Sequence, residues 1–287
     1  MSNPWARELP AVSDALLDHY LLDPASLWPA KALEVQPGEQ VADLCAAPGG
    51  KSLALLFDLV ERFGLSAITD FRLLCSDQSL ARIKRLKSVL RTYLPPEVLD
   101  RVEVFHRDAS RWGLYESDVY DRVLVDAPCS GERHLLQQPK ELKKWSKARS
   151  RHLTQRQVAL LCSALQILKP GGRLVYSTCT VSPLENDSVI EQFQKKRRGR
   201  FKVLQSLSAP GSFTALQSLP APPLGPLNSG AFPSEASASD SFITQTSPPH
   251  PPVKPTRSAE QTRWGWQIWP DHCQGAGPIY FCVMEKE

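Results

Sequence analysis

Residues 41–52, Val-Ala-Asp-Leu-Cys-Ala-Ala-Pro-Gly-Gly-Lys-Ser, constrain the fold more than any other stretch of this chain. Val41–Leu44 is an apolar run of the length of a buried strand. Pro48-Gly49-Gly50 breaks it, and Ser52 opens an amphipathic segment with Leu53, Leu56, Phe57 and Val60 on one face. The pattern predicts a strand, a tight turn and a helix. In an open α/β sheet such a turn lies at the carboxyl end of a strand, where ligands bind. Gly49 and Gly50 let the backbone approach a ligand closely, and the helix start offers unpaired N–H groups. A P-loop is excluded, because Gly50-Lys51-Ser52 would need a glycine where Cys45 stands. The dinucleotide fingerprint G-x-G-x-x-G is absent as well.

Other apolar runs deliver polar residues to the same rim. Leu73–Ser76 predicts a second strand ending at Asp77, a carboxylate able to accept from both hydroxyls of a ribose. Asp77 also suits the start of a helix over Ser79–Arg91, and the two roles are compatible. That helix is expected to turn Leu80, Ile83, Leu86 and Leu90 inward, leaving Lys84, Arg85, Lys87 and Arg91 on a solvated face. Arg101–His106 alternates as a third strand, followed by Asp108. Asp121–Asp126 is a fourth, ended by Ala127-Pro128, with Cys129 just beyond. Thr154-x-x-Gln157 has the form of a capping box for a helix carrying Val158, Leu161, Leu165 and Leu168, closed by Lys169-Pro-Gly-Gly172. Arg173–Thr178 is a fifth strand, delivering Cys179. Ser182-Pro183-Leu184-Glu185 reads as the cap of the next helix, and Trp264–Trp269 with Gly277–Val283 as a returning hairpin.

A chain of 287 residues, 42% apolar and 22% charged, has the make-up of one large α/β core. No run approaches the roughly 18 apolar residues of a membrane span. Seven cysteines without a C-x-x-C pair argue against a disulfide framework or a structural zinc site, and no metal is expected. A reducing compartment follows, and Met1–Leu9 resembles neither a secretory signal nor a transit peptide. The location is therefore read as cytoplasmic, with mitochondrial as the alternative. The net charge of +4 is mild, but between Arg133 and Arg156 eight Lys/Arg face only Glu132 and Glu141, with Trp145 among them. Cations neutralise phosphates and an aromatic stacks on an unpaired base, so this run is the candidate contact for RNA. Ser206–Ala259 holds 11 of the 25 prolines and too little apolar surface to offset its chain entropy; it reads as a disordered insertion.

Asp43-Leu-Cys-Ala-Ala-Pro-Gly-Gly-Lys51 closely resembles the cofactor motif of the RNA cytosine-5 methyltransferases of the Nop/Sun type. Asp126-Ala-Pro-Cys129 and Tyr176-Ser-Thr-Cys-Thr180, followed by Glu185-Asn186, resemble two further motifs of that family. Tyr20–Ser26 is similar to the segment preceding the cofactor motif, and Gly277–Cys282 to the last strand of the mitochondrial ribosomal-RNA member. The resemblance implies a Rossmann-like, mostly parallel α/β sheet with an antiparallel edge strand and helices on both faces. Residues 1–205 and 260–287 would form this domain, with 1–38 as a short helical lead-in and 206–259 as the insertion.

The same resemblance implies S-adenosyl-L-methionine as cofactor, held by Cys45, Ala46, Ala47, Pro48, Gly49, Gly50, Lys51, Asp77, Arg82, Asp108 and Asp126. The reaction implied is methylation of carbon 5 of a cytosine in rRNA or tRNA. Carbon 5 is a poor nucleophile until a thiolate adds to carbon 6, so the chemistry needs a cysteine. The family pattern makes Cys179 that nucleophile, Cys129 the aid to loss of the carbon-5 proton, Asp126 the partner of the cytosine N3/N4 edge, and Lys51 the residue orienting Asp126. With only about forty residues ahead of the motif, a helper protein or ribosomal particle is expected to supply RNA specificity. Two other readings stand beside this one. A DNA cytosine-5 methyltransferase would use the Pro-Cys thiol at Cys129, and an assembly factor would keep the fold without catalysis.

Overall fold

The apolar runs become strands because each is covered on both faces, as a mostly parallel sheet requires. The structure is a computed structural model describing residues 1, 16–17, 19–131, 147–205, 259–270 and 276–287. Five parallel strands form its centre: β1 (Gln40–Leu44), β2 (Arg72–Asp77), β3 (Val102–His106), β4 (Tyr120–Asp126) and β5 (Leu168–Thr178). Four more pair antiparallel: β6 (Phe201–Leu204), β7 (Glu260–Gln261), β8 (Trp266–Ile268) and β9 (Ile279–Lys286). Their order is β3-β2-β1-β4-β5-β9-β8-β7, with β6 on the same edge of β9 as β8.

The order reverses between β1 and β4, which makes the carboxyl ends of those strands the place where a ligand fits. The helices are α1 (Leu27–Ala32), α2 (Gly50–Phe63), α3 (Leu80–Tyr93), α4 (Pro96–Leu99), α5 (Lys147–Ile167) and α6 (Asp187–Lys196). One face of the sheet is sealed by α1, α2 and α3 through Leu33, Leu53, Leu56 and Leu86. The other is sealed by α5 and α6 together with Trp112, through Leu161, Leu165 and Phe193. Each fully buried side chain of this size contributes about 1.5–3 kcal/mol. The Rossmann-like sheet with helices on both faces is as expected, but its antiparallel side is broader than one edge strand. Phe281 of β9 stacks on Trp266 of β8 (5.3 Å) and packs near Trp28 of α1 (6.4 Å), which turns β9 into an interior strand. Among the described residues no helix is long and apolar enough to cross a membrane.

Four local expectations are corrected. Leu80 is 55% exposed, because the first turn of α3 overhangs the sheet rim; only Ile83, Leu86 and Leu90 are buried. Thr154 caps nothing. It lies inside α5 and donates to the carbonyls of Ser150 (2.9 Å) and Leu184 (3.0 Å). Ser182–Glu185 closes a turn through Glu185 N–H to Ser182 O (3.0 Å), and α6 starts only at Asp187 after the N-cap Asn186. Lys169–Gly172 belongs to β5 rather than to a loop, and the ladder to β4 shifts register between Tyr120 and Arg122 to accommodate it. Most of the basic run (132–146) and nearly all of the Pro-rich stretch (206–258) lie outside the described residues.

Candidate active site at the carboxyl rim of the sheet

The turn after β1 is held by its own backbone. Cys45 adopts φ +71°, the left-handed region that favours glycine, and Gly49 follows at φ +114°. A β-carbon on Gly49 would lie 2.9 Å from Leu86 Cδ1, and one on Gly50 2.8 Å from Leu22 Cδ1. Both glycines are thus required by close packing against α3 and the lead-in. Beneath the turn, Asp43 is fully buried and accepts from Ser52 Oγ at 2.6 Å; its Oδ1 has no hydrogen-bond partner. Burial pushes this carboxyl up to about 7, against the pull of the Ser52 hydroxyl.

Lys51, in the first turn of α2, reaches across to β4 and donates to Asp126 Oδ2 at 2.8 Å. Ser177 Oγ of β5 donates to the other oxygen, Oδ1, at 2.8 Å. Burial disfavours the lysine charge, but Asp126 beside it, with Cys179 and Asp43 nearby, outweighs burial and holds Lys51 above the ordinary lysine range. Asp126 and Ser177 are register partners in neighbouring parallel strands, so the residues just past them meet above the rim. There Cys129 Sγ and Cys179 Sγ stand 3.0 Å apart. The hydrogen bond shared with Cys129 lowers the Cys179 thiol against the opposing effects of burial and Asp126, and Lys51 assists. The same bond, together with burial, raises Cys129 well above an ordinary thiol. One sulfur is thus set to carry charge and the other to keep its proton.

A cleft beside this pair is lined by Cys45, Asp77, Arg82, Arg107, Pro128 and Arg156 among others. Asp77 is nearly fully buried at its edge. Ser79 N–H donates to Oδ1 (2.9 Å), while Oδ2 accepts no hydrogen bond and faces the Arg82 guanidinium at 3.1 Å. Arg82 also donates to Ala47 O, tying α3 to the turn. Asp108 caps the short 3-10 turn Ala109–Leu114 by accepting from Ser110 N–H (3.1 Å), and Arg156 stands 3.7 Å from it. Every expected site residue therefore lies on one rim, in two groups: the thiols with Lys51 and Asp126, and the cleft with Asp77, Arg82 and Asp108. A buried carboxylate whose Oδ2 accepts no hydrogen bond and faces the Arg82 guanidinium, beside a turn opening a 14-residue helix, suits a nucleoside carrying ribose hydroxyls.

The family model for 16S rRNA methyltransferase RsmB/F matches residues 30–221. The chain belongs to this family. Among curated members, the chain is 45% identical over 180 residues to the 5-cytosine rRNA methyltransferase NSUN4 of Bos taurus, covering 61% of this chain and 44% of that one. It is 44% identical over 179 residues to the mitochondrial tRNA (cytosine(34)-C(5))-methyltransferase of Danio rerio, covering 62% and 46%. It spans less than half the length of these relatives. A crystal structure of PH0851 shares the fold at TM-score 0.63 and 24% identity, over 93% of this chain and 47% of that one. The structure of NSun6 from Pyrococcus horikoshii with SFG does so at 0.61 and 20%, over 97% and 55%. The expected resemblance to the Nop/Sun type is borne out.

Several residues of this RsmB/F site escaped the sequence reading. Ser177 and Glu185 belonged to the Cys179 motif without a role of their own, and Gln157 was read only as a helix cap. Gln157 in fact donates to Pro128 O (2.9 Å) and Glu185 Oε2 (3.0 Å), behind the Cys129 loop. Arg107, stacked over Trp112 at 4.7 Å, and Gln78, which accepts from Arg156, were likewise unmarked. Gln157, a long polar side chain fully buried on α5, was the signal available.

Proposed function

We propose that the chain transfers a methyl group from S-adenosyl-L-methionine to carbon 5 of a cytosine in RNA, through a covalent bond between Cys179 and carbon 6. The observation that carries this reading is the polarised thiol pair: Cys179 lowered and Cys129 raised, 3.0 Å apart, beside the Lys51–Asp126 ion pair. The bound cofactor supplies an electrophilic methyl group for the activated carbon 5. Asp77 and the turn Cys45–Lys51 hold it, with Arg82 and Asp108 at the edge of the cleft and Asp126 at its junction with the thiols.

The remaining work belongs to the side chains. The Cys179 thiolate adds to carbon 6, and the displaced electron pair moves through the ring toward N3 and carbon 5. Asp126 hydrogen-bonds the N3/N4 edge and stabilises the charge building there, while Lys51 fixes the orientation of Asp126. Once the Cys179 sulfur is committed to carbon 6, Cys129 is released from its hydrogen bond. After methyl transfer it yields its own proton to solvent and, as thiolate, takes the carbon-5 proton; the electrons of that C–H bond re-form the C5–C6 double bond, the S–C6 bond breaks, and the aromatic base and the Cys179 thiolate are restored. The target base must be unpaired or flipped out, at a cost of a few kcal/mol from a duplex.

RNA is favoured over DNA by the family and by the second thiol, Cys179, which stands 3.0 Å from the Pro-Cys thiol Cys129. Both thiols are present and paired, which favours an enzyme over a non-catalytic assembly factor. The substrate class is rRNA or tRNA, with a helper protein or particle supplying specificity. The mitochondrial designation of the zebrafish relative supports the mitochondrial alternative for location. The test is a denaturing gel with substrate RNA and cofactor. Cys179→Ala should abolish both methylation and adduct, whereas Cys129→Ala should transfer methyl, fail to eliminate, and accumulate a protein–RNA adduct. An adduct trapped by Cys179→Ala instead would reverse the assignment and favour DNA-type chemistry.

A further inference from the structure

Cys129 and Cys179 both lie past the last rungs of their strands, where the sheet no longer dictates their separation. The β4–β5 ladder ends at Asp126 and Ser177, with one further bond from Ala127 N–H to Ser177 O (2.9 Å). Beyond that point a hydrogen bond between Ser130 Oγ and Thr180 Oγ1 (3.2 Å) joins the two loops directly, and the ties on either side of the two cysteines go to two consecutive residues, Glu185 and Asn186. Glu185, fully buried, accepts from Ser130 N–H (2.9 Å) and from Gln157 Nε2 (3.0 Å), and the same Gln157 nitrogen donates to Pro128 O (2.9 Å). Both neighbours of Cys129 are thereby tied down. Asn186 does the same for Cys179: its Oδ1 accepts from Thr178 Oγ1 (2.7 Å), and its Nδ2 donates to Thr180 O (3.1 Å). Tyr176 OH, donating to Glu185 O at 2.7 Å, anchors the whole turn to β5.

We infer that Glu185, held by Gln157, is a positioning residue that keeps Cys129 within hydrogen-bond reach of Cys179. The inference deepens the proposed reaction and rests on it. Its chemistry explains why a carboxylate stands here: a buried charge with one oxygen unpartnered is a poor stabiliser, but one oxygen can draw two donors from different segments to a single point. Without it, the loop 127–131 loses its backbone ties at Ser130 N–H and, through Gln157, at Pro128 O, and with them the fixed distance between the sulfurs.

The test follows alkylation of Cys179 by iodoacetamide, resolved by peptide mass spectrometry, from acidic to alkaline pH in the full chain without RNA. Lys51, Asp126 and Cys129 are the charged or titratable groups facing this sulfur. Glu185→Ala should slow alkylation about tenfold at neutral pH and leave it unchanged at alkaline pH, where the thiolate forms unaided. Glu185→Gln, which still offers an oxygen to Ser130 N–H, should restore the wild-type profile. A folded Glu185→Ala protein with the wild-type profile would overturn the inference. Should that variant not fold, Gln157→Met removes the second tie, and the same slowing or its absence decides. Cys129→Ala separates the two ideas. If it slows Cys179 while Glu185→Ala does not, the positioning role alone fails; if it leaves Cys179 unchanged, the thiol pairing and the inference fall together.

Discussion

Asp43 sits in an environment at odds with its ionised form. Its carboxyl is fully buried, accepts from Ser52 alone, and is held up to about 7 by loss of solvent. An unfolded aspartate titrates near 4, so both states are protonated well below that pH. Between about 4 and 7 the folded state keeps a proton that the unfolded state has released, and stability falls as pH rises through this window, by up to about 4 kcal/mol. Asp43→Asn cannot titrate. Urea unfolding at both ends of the window should show the variant gaining on the wild type as pH rises, and parallel pH profiles would contradict this. Cys45, like Glu34 and Asp118, is under local backbone tension, since a left-handed backbone costs a non-glycine residue about 1–2 kcal/mol.

At the level of elements, α3 shows how a periodic pattern overstates what a helix buries. Leu80, Ile83, Leu86 and Leu90 share one face, yet the helix starts at the rim, where the sheet beneath it has ended. Leu86→Ala should cost about 2–5 kcal/mol by opening a cavity against Gly49 and the sheet, whereas Leu80→Ala should stay within about 0.5 kcal/mol. Equal losses in denaturant midpoints would mean that Leu80 is covered. The loops after β4 and β5 behave in the opposite way. Their sequences look like ordinary caps, but their side chains turn inward and hold each other.

For the whole molecule, the antiparallel side of the sheet decides where extra chain is tolerated. β6 ends at Leu204 and β7 begins at Glu260, and both lie beyond β9, on the side away from the thiols and the cleft. Gln205 Nε2 donates to Arg263 O at 3.4 Å, so the two ends of the intervening stretch come close together. Replacing 206–258 by a short linker should therefore leave the thermal midpoint near that of the full chain, because loop closure changes only slowly with length. A large drop would show that this stretch packs on the domain. The described end of the basic run lies at the active rim instead, where Arg156 lines the cleft, and this supports the run as the RNA contact of the proposed function.

The parallel strands, their order of delivery and the rim residues Asp77, Asp126, Cys129 and Cys179 were legible in the sequence. Strand length, a breaker after each apolar run and the spacing of chemical groups are local properties, and motif resemblance added the roles. What needed the tertiary structure were contacts between segments far apart in the chain. Gln157 meets Pro128 across 29 residues, and Ser130 meets Glu185 across 55. Nothing near Thr154 or Ser182 reveals that another loop, and not a helix end, takes up their neighbours' hydrogen bonds. The same holds for Gly49, which reads as a ligand-facing glycine and proves to be required by Leu86 of α3. A local pattern states what a side chain is able to do. Only the packed fold decides which partner is within about 3 Å, and at that range burial and hydrogen bonding separate two chemically identical thiols.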